Sequence, residues 1–221
     1  LIEQFTELGL EPGGRDGAWT QAVPMIQTQV QSPATMRFSV GGDSQALEMQ
    51  TDIEASTVRP VESIAINAPV VFVGFGAYAP ERNWDDYGDI DLKGKVALFL
   101  VNDPDFAAAP DEPVAGRFGD RRMTYYGRWT YKYEEAARRG AAAAFVIHET
   151  KAAGYGWNVA SSSPGKNLAV AAAEPTDDPI TLQGWLHGDA AATLLASAGH
   201  DLDELRVRAR SPEFEAFELD D

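Results

Sequence analysis

No cysteine occurs in the 221 residues. That excludes disulfides, thiolate metal ligands and a thiol nucleophile, and it leaves the redox compartment open. Basic residues are scarce: 18 Lys and Arg face 34 Asp and Glu, a formal net charge of −16. A chain so charged repels phosphate backbones and anionic lipid, so nucleic acid and membrane surfaces are poor partners. The ordinary meaning of such acidity is a solvated surface that keeps the protein dispersed. No run of about eighteen apolar residues is present, so no membrane insertion is expected. A basic then apolar leader is lacking as well. The three histidines, His148, His187 and His200, lie far apart, and none falls in H-E-x-x-H or another ligand spacing.

What is present is globular. Hydrophobic residues make up 44% and aromatics 10%, enough to build a core without covalent staples. The chain opens inside an amphipathic helix, with Ile2, Phe5 and Leu8 on one stripe and Gly9 as its stop. Such an opening is expected of a piece of a longer protein. Residues 18–66 are rich in Gln, Thr and β-branched types, carry turn signals such as Gly41-Gly42-Asp43, and predict several short strands. APVVFVG, VALFLV, AFVIH and NLAVAAA predict the central strands, with TLQGWLH, LRVRAR and FEAFEL as further strands. GDAAATLLASAG predicts a helix, as does the stretch from about Thr130 to Arg139. The latter buries Trp129, Tyr133, Ala136 and Ala137 on one stripe, pairs Glu134 with Arg138 and Glu135 with Arg139, and ends at Gly140. The order VALFLV, helix, AFVIH predicts a right-handed parallel crossover. Only part of the elements alternate, so the fold class is α+β.

Several motifs fail on spacing. VVFVGFGAYA contains G-x-G-x-x-A after a strand, but Pro80 and a turn-prone loop follow where a phosphate-holding helix must start. Its glycines are read as a tight bend at a strand end. Gly88 to Lys95 is one residue too long for a phosphate loop, and Val96 stands in place of the hydroxyl residue. An EF-hand beginning at Asp89 would put Lys93 and Leu100 at ligand positions. A looser calcium site near Asp85–Asp91 remains open beside the plainer reading, that Asp85, Asp86, Asp89 and Asp91 cap turns and face water. Ser161 to Ser163 lack the glycine setting of a nucleophile elbow. No nucleophile, base and orienter assemble from the residues alone.

Two stretches carry a resemblance: VVFVGFGAYAPERNWDDYGDIDLKGKVALFLVNDPDF and MTYYGRWTYKYEEAARRGAAAAFVIHETKAAGYGWNV. They resemble the protease-associated domain found within bacterial zinc-dependent aminopeptidases, relatives of glutamate carboxypeptidase. IEQFTELGLEPGG and DGAWTQAVPM are similar to the peptidase segment just before that insert. The resemblance implies a β-sandwich or open barrel with a few flanking helices. It divides the chain into a peptidase-edge helix and strand (1–26), a strand-rich linking segment (27–65), the protease-associated domain (66–210) and a return strand (211–221). It also implies export to the periplasm or beyond, and a peptidase domain of the same parent as partner. That domain would bind zinc; in this chain the catalytic and zinc-ligand motifs are missing, so the chain is expected to be no enzyme and to hold no cofactor of its own.

The function so implied is a non-catalytic module that covers or shapes the peptidase cleft. A free-standing peptide- or protein-binding domain is the rival reading, and an enzyme in its own right is the weakest. The candidate contacts are Tyr125, Tyr126 and Arg128. They precede the helix, lie off its apolar stripe and flank a Gly127 bend, and aromatic-rich loops with an arginine are where recognition concentrates. The resemblance adds that such inserts sit over the peptidase cleft, where Arg128 would meet a peptide carboxylate or carbonyl.

Overall fold

The computed structural model describes residues 1–31, 34–171 and 179–219. In chain order the described strands are β1 (Met25–Gln29), β2 (Met36–Val40), β3 (Asp43–Leu47), β4 (Ile53–Ser56), β5 (Val70–Phe72), β6 (Tyr78–Ala79), β7 (Trp84–Asp85), β8 (Val96–Leu100), β9 (Ala143–His148), β10 (Lys166–Val170), β11 (Leu182–His187) and β12 (Phe217–Glu218). The helices are α1 (Ile2–Glu7), α2 (Trp129–Arg138), α3 (Thr150–Ala153), α4 (Trp157–Ala160), α5 (Gly188–Ser197) and α6 (Leu202–Arg208). Among the described residues no helix is long and apolar enough to cross a membrane.

Six strands form one sheet in the order β12-β5-β8-β9-β11-β4. The four middle strands run parallel, and β12 and β4 close the edges antiparallel. The middle strands are apolar almost throughout because both faces of a parallel sheet are covered. Alternate residues sort to the two sides. Phe72, Leu98, Leu100, Phe145, Ile147 and Leu186 meet Leu194 and Leu195 of α5 and Leu202 and Leu205 of α6. Val71, Val73, Ala97, Phe99, Val146 and Trp185 meet Tyr133 and Ala136 of α2. The fold is α+β, with helices on both faces of a mixed sheet. Edge strand β4 comes from the 27–65 segment and edge strand β12 from the 211–221 segment, and both pair with strands of the 66–210 stretch.

Local sequence explains several details. β2 and β3 form a hairpin across Gly41 and Gly42, which adopt φ of 56° and 89°, as a tight two-residue turn requires. Arg139 and Gly140 end α2, with Gly140 at φ 75°. Gly184 lets β11 approach β4 closely, since a Cβ there would lie 1.8 Å from the Glu54 carbonyl oxygen.

Two expected strands are corrected. NLAVAAA is not central: Asn167 to Val170 lie in β10, which among the described residues pairs with β1 in a separate two-stranded ribbon, and Ala172 and Ala173 lie outside the described residues. Leu168 and Val170 are exposed there, whereas β11 is buried from Gln183 to Leu186 and takes the fourth parallel place. LRVRAR is helical. Asp201 caps α6 by accepting from the Glu204 amide, and Leu202, Leu205 and Ala209 share a buried stripe at helical spacing. Arg206 and Arg208, which mimic strand alternation, occupy its last turn.

Candidate functional site

The loop at residues 123–128 sits at the carboxyl ends of β5 and β8, the place where open parallel sheets usually meet ligands. Its backbone is held from below. The Thr124 amide and hydroxyl both donate to the Asp103 carboxylate, at 2.6 and 2.7 Å. The Asn102 amide donates to the Gly127 carbonyl at 3.2 Å. Lys132 Nζ donates to the Tyr126 carbonyl at 3.2 Å and, from the same ammonium, to the carbonyls of Asn102 at 3.1 Å and Phe75 at 2.5 Å. Gly127 fits against Asp103 so closely that a Cβ would lie 2.9 Å from the carboxylate.

Lys132 has 0% exposure, which is unusual for an ammonium unless its donors are met. Three carbonyls meet its three N–H groups. Burial pushes its pKa down to about 8, opposed by the attraction of Asp103 and Asp86. Asp86 is also buried; its oxygens accept from the Ala77 amide and the Trp84 indole, each at 2.8 Å. Burial still dominates there and pushes this carboxyl up to about 7. Asp103 is raised for the same reason, against its hydrogen bonds from Thr124. A periodic scan of α2 misses this cluster, because Lys132 lies off the stripe that faces the sheet. The available signal was a lone lysine among aromatics in TYYGRWTYKYEE.

On this seat the three candidate residues differ. Tyr125 is 54% exposed, and its hydroxyl donates to Glu134. Arg128 is exposed at the amino end of α2, and its guanidinium makes no hydrogen bond or ion pair among the described residues. Tyr126 is half-buried, edge-on to Tyr131 and Phe118. Its hydroxyl donates to Glu81 at 2.8 Å, and the Arg82 guanidinium lies 5.7 Å from its ring centroid. The loop therefore presents a tyrosine ring and a bare guanidinium on a fixed backbone, with Tyr126 bracing one wall.

The helix behind the loop departs from expectation in three ways. Trp129 is 40% exposed rather than core, with its ring 6.4 Å from that of Trp185. Tyr131, Lys132 and Glu135 are buried in addition to Tyr133 and Ala136: Tyr131 lies edge-on to Tyr125 and Tyr126, and Lys132 reaches the carbonyls of Phe75, Asn102 and Tyr126. Arg138 ion-pairs with Glu135 at 2.8 Å, as Arg139 does, while Glu134 is taken by Tyr125.

The remaining candidates are satisfied locally. His148 Nε2 lies 3.0 Å from the Tyr155 carbonyl, and His187 Nδ1 accepts from the Asp189 amide at 3.2 Å. Asp85 accepts from the Tyr87 and Gly88 amides and Asp91 from the Lys93 amide, so both cap turns. Asp86, in contrast, does not face water. Among the described residues no three His, Asp or Glu side chains converge as a metal site would need. Gly74 and Gly76 do end β5 in a bend, at φ 65° and 64°. A cavity of about 70 Å³ lies between Phe75, Leu100, Ile147 and Arg206.

No family model matches the chain, and no curated protein sequence matches it. Among solved structures, the aminopeptidase from Aneurinibacillus sp. strain AM-1 is similar over 81% of the chain, with 19% identity and a TM-score of 0.37. The chain spans 32% of that structure's length.

Proposed function

We propose that the chain is a protease-associated module that works beside a zinc-dependent aminopeptidase domain of the same exported protein. In this reading Tyr125, Tyr126 and Arg128 form a lip toward the peptidase cleft, and Arg128 meets a carboxylate or carbonyl of the peptide substrate. The zinc and the hydrolytic residues belong to the peptidase domain, and this chain supplies recognition. The two stretches that resemble protease-associated inserts support the assignment, and both the lip and its seat fall within them.

The observation that carries the reading is the state of Arg128. In a chain of net charge −16, Arg138, Arg139 and Arg210 are each paired with a carboxylate. Arg128 is exposed and unpaired among the described residues, beside an exposed tyrosine, on a backbone that buried donors hold in place. A guanidinium so placed is prepared to accept a planar carboxylate from outside.

Steady-state kinetics test the proposal. The purified chain should leave leucine p-nitroanilide untouched, whereas the full-length protein should hydrolyse it in a chelator-sensitive way. In the full-length protein Arg128→Ala should lower kcat/KM for peptides by about 5- to 50-fold, the worth of one charge-assisted contact. Unchanged kinetics with a lowered melting temperature would make the arginine a brace and defeat the lip.

A further inference from the structure

We infer that Lys132 is the positioning residue of the lip: its ammonium holds the Tyr126 carbonyl against the ends of β5 and β8, and loss of its proton lets the lip leave that seat. This rests on the lip reading for its consequence, and on geometry alone for its mechanism. The three acceptors belong to three separate segments, Phe75 beyond β5, Asn102 beyond β8 and Tyr126 in the lip. An ammonium has three N–H donors and no lone pair, so it satisfies all three carbonyls at once. A neutral amine has two donors and a lone pair, so one carbonyl must face another acceptor. The bonds to Phe75 and Asn102 are buried, while that to Tyr126 is only partly so. Water can replace the amine at Tyr126 alone, and this carbonyl is the one released.

The charged groups around the ammonium favour proton loss in a reachable range. Asp103 and Asp86 attract it from the loops beyond β8 and β7, and burial opposes them with the larger effect, setting the pKa at about 8. On α2 itself Glu135 is neutralised by Arg138 and Arg139. The remaining backbone anchors of the lip are the Asp103 carboxylate under Thr124 and the Asn102 amide on Gly127, and the Tyr125 and Tyr126 hydroxyls stay on Glu134 and Glu81. Release of the Tyr126 carbonyl moves the peptide next to Gly127, so the long Asn102–Gly127 bond loosens with it, while the two bonds to Asp103 keep Thr124 tied down.

Nuclear magnetic resonance on the whole chain tests this without any peptide. The Lys132 ¹³Cε shift is followed from about pH 6.5 to about 9.5, together with protection of the Asn102 and Arg128 amides, which donate to the carbonyls of Gly127 and Tyr125. Protection should fall about tenfold or more with the midpoint of the Lys132 titration, while β9 amides keep theirs. Lys132→Met should show the unseated protection already at the lower pH; if that variant does not fold, the wild-type titration alone decides. A Lys132 that stays charged to the upper limit, or titrates while both amides keep their protection, overturns the inference. Neither result bears on Arg128→Ala kinetics, so failure of the positioning role and failure of the lip are told apart.

Discussion

Tyr133 tests the packing of α2 with two graded substitutions. The ring is 5% exposed and belongs to the cluster with Val71, Ala144 and Val146, and its hydroxyl donates to the Gly184 carbonyl at 2.6 Å. Burial pushes the phenol well above its usual range, so it is a donor at neutral pH. Tyr133→Phe removes that bond alone and leaves the Gly184 carbonyl with one partner fewer, a loss of about 1–1.5 kcal/mol. Tyr133→Ala removes the bond and the ring, and a buried aromatic costs about 3–5 kcal/mol because the surrounding strands cannot close over the cavity. The difference, roughly 2–4 kcal/mol, is the packing of the ring between α2 and the sheet. Urea melts at constant m-value measure both, and the Ala variant should melt roughly 6–20 °C lower. An Ala variant within about half a kcal/mol of wild type would put the wrong face of α2 inward. A Phe variant as damaging as the Ala variant would mean that the ring packing contributes nothing.

Two further outcomes follow from the buried groups. Asp86 titrates at about 7 in the fold, above its ordinary value of 3.8. The neutral acid is thus favoured on folding; that contribution is full below the ordinary value and lost as pH rises to about 7, at most of order 4 kcal/mol. Asp86→Asn should flatten the pH dependence of the denaturation midpoint across that window, and an unaltered slope would show that Asp86 does not titrate there. Gly76→Ala would put a Cβ 2.4 Å from the Phe99 ring at φ 64°, so it should cost at least about 2 kcal/mol in denaturant melts.

Much of the central sheet was legible because its strands are continuous apolar runs: Val70 to Phe72, Val96 to Leu100 and Ala143 to His148 could be little else. α5 and the end of α2 at Gly140 were legible from stop signals. NLAVAAA misled because apolar composition does not say what covers a strand, and β10 pairs with a ribbon strand whose Met25 is itself exposed. LRVRAR misled because arginines at every second position imitate a strand, while the cap Asp201 and the stripe Leu202, Leu205 and Ala209 set a helix. At the site, the exposure of Tyr125 and Arg128 could be read from their place before the helix. The seat beneath them could not. Lys132, Asp86 and Asp103 converge only after three chain segments pack together, and no spacing along the sequence records that.

If the lip touches the peptide, a photocrosslink reads that contact directly. Full-length protein carrying benzoylphenylalanine in place of the exposed Tyr125 is irradiated with a labelled, non-hydrolysable peptide. A covalent peptide adduct should map to position 125 and be suppressed by excess unlabelled peptide. Peptide bound in the cleft with no adduct at 125, or an adduct that excess peptide does not suppress, would contradict it.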